Sequence, residues 1–271
     1  MNADSMQLYA GMDIGTAKLP PDARHGVPHH LLDIWDVRQA ASVAGYQAKA
    51  RALVAELHAR KLTPVVVGGS GLYVAAVLDD IEFPGTDPVV RAALEAELRA
   101  VGAKRLHARL AETDPGAAAA ILDTNGRKIV RALEVRELTG RPFEARLRPR
   151  PAYPDIVVIG LRMNRADLDR RIDARVERMW QDGFVDEVRR LAAAGLSEGP
   201  TASKALGYEQ VLRMLAGRAE ESDARAETVR ATRRFARRQE SWFNRDQRIC
   251  WLDVARGPEG VRAAALSQLA R

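Results

Sequence analysis

Between Thr63 and Leu78 the chain passes from a β-branched apolar run through a glycine turn into a helical pattern. That succession narrows the fold more than any other feature. Thr63-Pro64-Val65-Val66-Val67 predicts a short buried strand, Gly68-Gly69-Ser70-Gly71 a turn, and Leu72 to about Leu78 a helix. Ahead of the strand, Val43, Tyr46, Ala50, Leu53, Val54 and Leu57 recur at helical spacing from about Ser42 to Arg60. Helix, buried strand, glycine turn and helix, in that order, are the grammar of a parallel α/β sheet.

The middle of the chain reads differently. From about Asp87 to Arg141 every periodic segment is helical. Asp87-Pro88 and Asp114-Pro115 each pair an N-cap with a first-turn proline, and Gly140 and Pro142 close the block. A Pro/Arg-rich loop, Arg146 to Pro154, leads into a strand over Ile156–Leu161. Helices over about Ala166–Trp180, Val185–Ala194, Tyr208–Leu215 and Asp223–Asn244 follow, then a strand over Ile249–Leu252. The expected organisation is an α/β core of residues 1–86 and 149–271, with a helical insertion of residues 87–148.

Composition excludes several classes. A 46% hydrophobic and 29% charged chain of 271 residues folds as a globular protein. Cys250 is the single cysteine, which rules out an intramolecular disulfide or a cysteine-cluster metal site. No apolar run approaches the roughly 20 residues a membrane helix needs. Met1-Asn2-Ala3-Asp4-Ser5 lacks the basic and apolar regions of a signal peptide, so a reducing cytoplasm is expected. The net charge of +6, with arginines crowded near the C-terminus, favours a polyanionic partner.

Several local constellations could carry chemistry. Asp4-Ser5-Met6-Gln7-Leu8-Tyr9 is a polar loop with one carboxylate, which on residue types alone is as well read as a capped turn. It runs on through Gly11-Met12-Asp13-Ile14-Gly15-Thr16-Ala17-Lys18, and Gly26-Val27-Pro28-His29-His30-Leu31-Leu32-Asp33 follows. The paired histidines lack zinc-site spacing. Ser70 lies where backbone N–H groups and a hydroxyl could hold an anion, or simply turn the chain. Arg127, Lys128 and Arg131 share a helix face near Ile129 and Val130. Arg234, Arg237 and Arg238, with Gln239 and the aromatics Phe235, Trp242 and Phe243, form a basic helix that could grip nucleic acid or merely face solvent. Gly199-Pro200-Thr201-Ala202-Ser203-Lys204 imitates the start of a phosphate-binding loop. It lacks the glycine before the lysine and a strand ahead of it, so it is read as a decoy.

Taken as strings, these segments resemble the tRNA dimethylallyltransferase family over nearly the whole chain. The Asp4–Lys18 stretch is similar to the family's DSMQxYxGMDIGTAKP signature, and Gly26–Asp33 to its GVPHHLxD stretch. Gly68–Tyr73 is similar to GGTGLY, with Ser70 in place of threonine. Asn125–Val135 is similar to NDxxRIxRALEV, and Thr232–Phe243 to TRRYARRQxTWF. Lys204-Ala205-Leu206-Gly207-Tyr208-Glu209-Gln210 resembles RAxGYxQ, with lysine where arginine is usual.

The resemblance implies a P-loop NTPase-like parallel-sheet core, of the nucleotide-binding type, with an inserted helical subdomain that contacts the tRNA anticodon stem-loop. The activity it implies is transfer of dimethylallyl from dimethylallyl diphosphate to N6 of the adenosine 3′ of the anticodon (position 37), with Mg²⁺, by a cytoplasmic monomer. Asp4 and Ser70 are then the catalytic residues. Ser5, Met6, Gln7, Arg91, Arg127, Lys128, Ile129, Val130, Arg131, Lys204, Gly207, Tyr208, Arg234, Arg237, Arg238 and Gln239 join them in holding substrate and tRNA. The family carries a strand and a GPTASGKS/T loop about thirty residues ahead of the aspartate motif. The expectation is therefore that this chain lacks that strand and P-loop, and that in-frame DNA upstream of Met1 encodes them. The alternatives are a catalytically impaired tRNA-binding remnant, or an isopentenyltransferase acting on free adenine nucleotides.

Overall fold

The computed structural model describes residues 1–144 and 150–269. The first part of the Arg146–Pro154 loop, and the expected boundary at 148/149, lie outside the described residues. Eleven helices and two strands follow one another: α1 (Val43–Ala59), α2 (Gly71–Leu78), α3 (Pro88–Val101), α4 (Ala103–Thr113), α5 (Pro115–Ala120), α6 (Gly126–Thr139), β1 (Val158–Arg162), α7 (Arg165–Gln181), α8 (Phe184–Ala193), α9 (Tyr208–Leu215), α10 (Glu221–Phe243), β2 (Ile249–Asp253) and α11 (Gly257–Leu269). These, with four short 3-10 turns, are the elements among the described residues. The chain divides into two compact units, Met1–Leu78 with Pro151–Arg271, and Asp79–Arg150.

The larger unit is α/β, but its sheet is small. Among the described residues β1 and β2 pair in parallel, from Val158 opposite Ile249 to Arg162 opposite Asp253. The expected strand at Thr63–Val67 is a correction. The segment contributes only an isolated parallel bridge, Asn2 to Val67, with hydrogen bonds from Val67 N to Met1 O and from Ala3 N to Val67 O. β-branched residues favour an extended backbone, yet a ladder also needs a partner of matching length. The segment is not buried either, since Val65 and Val67 are 66% and 65% exposed. One apolar cluster of this unit gathers Tyr9, Met12, Val176, Phe184, Leu196 and Tyr208; another joins Ala3, Leu8, Tyr46, Val54, Tyr73 and Val77. The Gly199–Lys204 decoy is a packing turn. Thr201 accepts the Ala41 N–H, and Ala202 is buried in a 3-10 turn.

The smaller unit is all helix, as its periodicity predicts, around Leu94, Leu106, Leu110, Ala117, Ile129 and Leu133. Both expected caps form. Asp87 accepts from Val89 N and Val90 N, ahead of Pro88. Asp114 uses one oxygen for Ala117 N at 3.0 Å and the other for Phe143 N at 2.6 Å, and is itself 6% exposed. Asp114→Ala therefore strands two donors at once. We expect a loss of about 2–3 kcal/mol from this unit, combining a lost cap with a buried orphan amide. Urea denaturation reads the value, and a change below about 0.5 kcal/mol would show these bonds to be dispensable.

Among the described residues no helix is long and apolar enough to cross a membrane.

Candidate active site

The Asp4 carboxylate is placed by the short extended segment before it. Ala3 is fully buried, and Gly68 lies so close that a Cβ there would come within 2.4 Å of the Ala3 carbonyl. Only glycine lets the two backbones approach in this way. The Asn2 amide frames the next residue. Its Oδ1 accepts Asp4 N at 2.9 Å, and its Nδ2 donates to Asp4 O and Leu31 O at 3.0 and 3.1 Å. The Tyr46 hydroxyl, whose pKa is pushed up by burial and then by neighbouring Tyr73, donates to Asn2 O at 2.8 Å. Asp4 Oδ1 accepts the N–H of Met6 at 2.8 Å and of Gln7 at 3.3 Å. Among the described residues no donor meets its second oxygen. Capped turn and available carboxylate thus coexist, one oxygen serving each.

The glycine turn meets this loop directly. Ser70 Oγ accepts Ser5 N at 3.0 Å and donates to Ser5 Oγ at 3.1 Å. On the far side of the turn, Gln239 Nε2 of α10 donates to Gly69 O at 2.9 Å. Asp4, Ser5, Ser70 and Gln239 therefore form one constellation, drawn from three distant parts of the chain.

Behind it, the Gly11–Lys18 loop is held by two buried charges. Lys18 Nζ is enclosed and donates to Asp13, Asp33 and the Tyr9 carbonyl, tying the first two sequence motifs together at 2.7, 2.5 and 2.9 Å. Glu187, 1% exposed, accepts the N–H groups of Asp13, Ile14 and Gly15 and the Tyr208 hydroxyl, the last at 2.6 Å. Burial first, then the Glu187 carboxylate, drives the Tyr208 pKa far up, so the phenol stays a donor. At Gly15 a Cβ would fall 2.4 Å from both the Phe184 and Tyr208 rings, which closes the loop against α8 and α9.

The remaining sequence candidates divide sharply. Met6 packs against the larger unit's core, and Gln7 donates its amide N–H to Thr16 O at 3.1 Å. Lys204 is 70% exposed and only 3.9 Å from Glu209. Gly207 and Tyr208 need correcting as substrate contacts. Tyr208 is fully buried, and Gly207, at φ +86°, caps α9 by donating to Gln210 Oε1. On α10, Arg234 pairs with Glu227 at 2.6 Å and Arg238 lies over the Phe235 ring, while Arg237 is exposed.

Within the smaller unit, Ile129 and Val130 also need correcting, since at 0% and 1% exposure they are core side chains that cannot touch a ligand. Arg91 and Arg131 both bind the fully buried Glu134, and Arg131 also donates to Gly85 O. Their charges are spent on Glu134, because a buried carboxylate must be paired. Arg127 is exposed and Lys128 half-buried.

Sequence reading missed Glu187. Its signal was a carboxylate on an otherwise apolar helix stripe, with Phe184, Val188 and Leu191 at offsets of three, one and four residues.

A sequence model for the family described as IPP transferase matches residues 7–246. The tRNA dimethylallyltransferase of Thermobifida fusca is 64% identical over 252 residues, covering 93% of this chain and 79% of that protein. The Salinispora arenicola tRNA dimethylallyltransferase is 62% identical over 271 residues, covering 98% and 79%. Among solved structures, the full-length tRNA isopentenylpyrophosphate transferase of Bacillus halodurans aligns with a TM-score of 0.70 at 37% identity, over 99% of this chain and 86% of that one. A eukaryotic dimethylallyltransferase described as acting on tRNA aligns with a TM-score of 0.81 at 22% identity, over 98% and 70%, which speaks for the fold.

Proposed function

The chain belongs to the IPP transferase family, and from that premise we propose that it transfers a dimethylallyl group from its diphosphate to N6 of the adenosine 3′ of the anticodon in tRNA. The observation that carries this reading is the junction at Ser70, whose hydroxyl binds Ser5, 65 residues away, beside the Asp4 carboxylate. An exocyclic adenine amine is a weak nucleophile because its lone pair is delocalised into the ring. Asp4 Oδ2, unencumbered by the turn, accepts its proton as the new N6–carbon bond forms. The allylic carbon–oxygen bond breaks, and its electron pair leaves on diphosphate. Ser70 Oγ–H, Lys204 and the exposed Arg237 are the donors and cations of this unit suited to meet that charge. The target base must leave its stack to reach Asp4, and Gln7, three residues on, is the side chain we assign to reading its edge.

Among the described residues no three metal-ligating side chains cluster. A Mg²⁺ ion would thus draw most of its oxygens from diphosphate and water, with the Ser5 or Ser70 hydroxyl as protein donors, and would neutralise charge on the leaving diphosphate. Arg127 and Lys128 of the smaller unit, and Arg234, Arg237 and Arg238 of α10, are assigned to tRNA phosphates.

The test is transfer of radiolabelled dimethylallyl to unmodified tRNA, with AMP as a competing acceptor. Label at the anticodon-adjacent adenosine supports the reading. Label on AMP alone would place the chain among free-nucleotide transferases, and tRNA binding without transfer would make it a binding remnant. Affinity for tRNA should also fall steeply with salt. Replacing Arg234, Arg237 and Arg238 by glutamine should flatten the log–log slope by about one for each phosphate that is no longer neutralised. An unchanged slope in the triple variant would remove α10 from the interface.

A further inference from the structure

The last turns of α10 present two kinds of side chain. Arg237, Arg238 and Glu240 are exposed, whereas Gln239 between them is half-buried. Gln239 and Trp242 are three residues apart and so share a face of the helix. That face meets the glycine turn. Gln239 Nε2 donates to Gly69 O at 2.9 Å, and a Cβ on Gly69 would come within 2.3 Å of the same nitrogen. On Gly71 a Cβ would fall 2.3 Å from Nε1 and 2.4 Å from Cδ1 of the Trp242 indole. The residues on either side of Ser70 are thus each pressed by one α10 side chain, and neither position takes a side chain unless that neighbour moves.

Gly68 in turn lies against the Ala3 carbonyl, one residue before Asp4. Of the four turn residues only Ser70 carries a side chain. Both hydrogen bonds that its hydroxyl makes among the described residues go to Ser5. The position of Oγ beside Asp4 therefore depends on the backbone beneath it, and α10 grips that backbone one residue before and one residue after. A donor that meets charge developing on a leaving group acts over tenths of an ångström, so a loose turn wastes it. The resemblance in sequence assigns Gln239 to holding substrate and tRNA, whereas its amide is engaged with Gly69.

We propose that Gln239 and Trp242 are positioning residues, a clamp from α10 that fixes the Ser70 hydroxyl for the transfer step. The proposal rests on the reading of Ser70 as a donor to the leaving diphosphate.

The experiment compares wild-type protein with Gln239→Met, which keeps the chain length and removes the donor, and with Trp242→Ala, Trp242→Phe and Gly69→Ala. The last displaces Gln239 from the other side of the same bond. The first readout is hydrogen exchange at the Ser5 amide, whose acceptor is Ser70 Oγ. Gln239→Met, Trp242→Ala and Gly69→Ala should each speed it about tenfold, while the Asp13 amide, held by Glu187, exchanges as in wild type. The second is single-turnover transfer at saturating substrate. It should slow about tenfold in the same variants with tRNA affinity within about twofold, and Trp242→Phe should recover most of the loss. Because Gly69 and Gln239 meet at one bond, Gly69→Ala combined with Gln239→Met should be within about twofold of the slower single variant. Ser5 exchange within about twofold of wild type overturns the clamp, as do two single effects that multiply in the double variant. Weakened tRNA binding with unchanged transfer would return Gln239 to the RNA interface, and faster exchange with unchanged transfer would make the contact structural only; either defeats the proposal. Exchange needs no turnover, so a protein that transfers nothing would sink the proposed reaction and still decide whether α10 holds Ser70.

Discussion

Asp4→Asn is expected to lower dimethylallyl transfer by a factor on the order of 100 or more while leaving tRNA affinity within about twofold. The two halves of that expectation come from the two oxygens of the side chain. Asparagine keeps a carbonyl oxygen, which can go on accepting the Met6 and Gln7 N–H groups and so preserve the turn. The second position becomes an NH₂ group, a donor that cannot take a proton from the adenine amine. Single-turnover assays with saturating tRNA separate the chemical step from binding. A variant turning over at near the wild-type rate would remove Asp4 from the role of base. A variant that loses tRNA affinity in parallel would mean that the turn had collapsed.

Glu187→Ala should be the most damaging single change to the larger unit. One carboxylate serves four donors, the N–H groups of Asp13, Ile14 and Gly15 and the Tyr208 hydroxyl. Removing it leaves the buried Tyr208 hydroxyl and three part-buried N–H groups without that acceptor. Each orphaned group costs about 1–3 kcal/mol, and partial relaxation or entering water recovers some of that, so we expect a loss of about 4 kcal/mol. For a body of this size that is a fall in Tm of roughly 8–16 °C. Glu187→Gln, with one accepting oxygen, should cost roughly half as much. Tyr208→Phe removes a donor together with its need and should cost about 1 kcal/mol. Calorimetry orders the three, and Glu187→Ala losing less than Tyr208→Phe would contradict the account.

What the sequence disclosed, and what it hid, follows from which interactions are local. Helix positions were legible because periodicity and caps are written within a few residues, as at Asp87 and Asp114, the caps expected from the sequence, and at Ser42, where the first helical pattern starts; the cap at Asn125 was not foreseen. The Asp4 and Ser70 motifs were legible as strings, but their meeting across the fold was not. Thr63–Val67 looked like a strand because its side chains favour extension, whereas the pairing that makes a ladder depends on distant backbone. Arg91 and Arg131 looked like ligands for RNA because arginine has one letter whether it faces solvent or a buried Glu134. Ile129, Val130 and Tyr208 were swept in with the motifs that contain them, although a motif preserves core packing as well as contact.

The bond from Glu187 to Asp13 N spans 174 residues, and that separation sets when in synthesis the loop can take its final form. A ribosome adds roughly 5–20 residues per second, so the loop following Asp4 leaves the exit tunnel many seconds before the helix that shapes it exists. Through that interval its backbone N–H groups have only water to bind, and Phe184 is not there to close against Gly15. The loop, although made long before α8, therefore takes its final form late in synthesis. A nascent chain interrupted before α8 would carry the Asp4 motif intact in sequence and unformed in space.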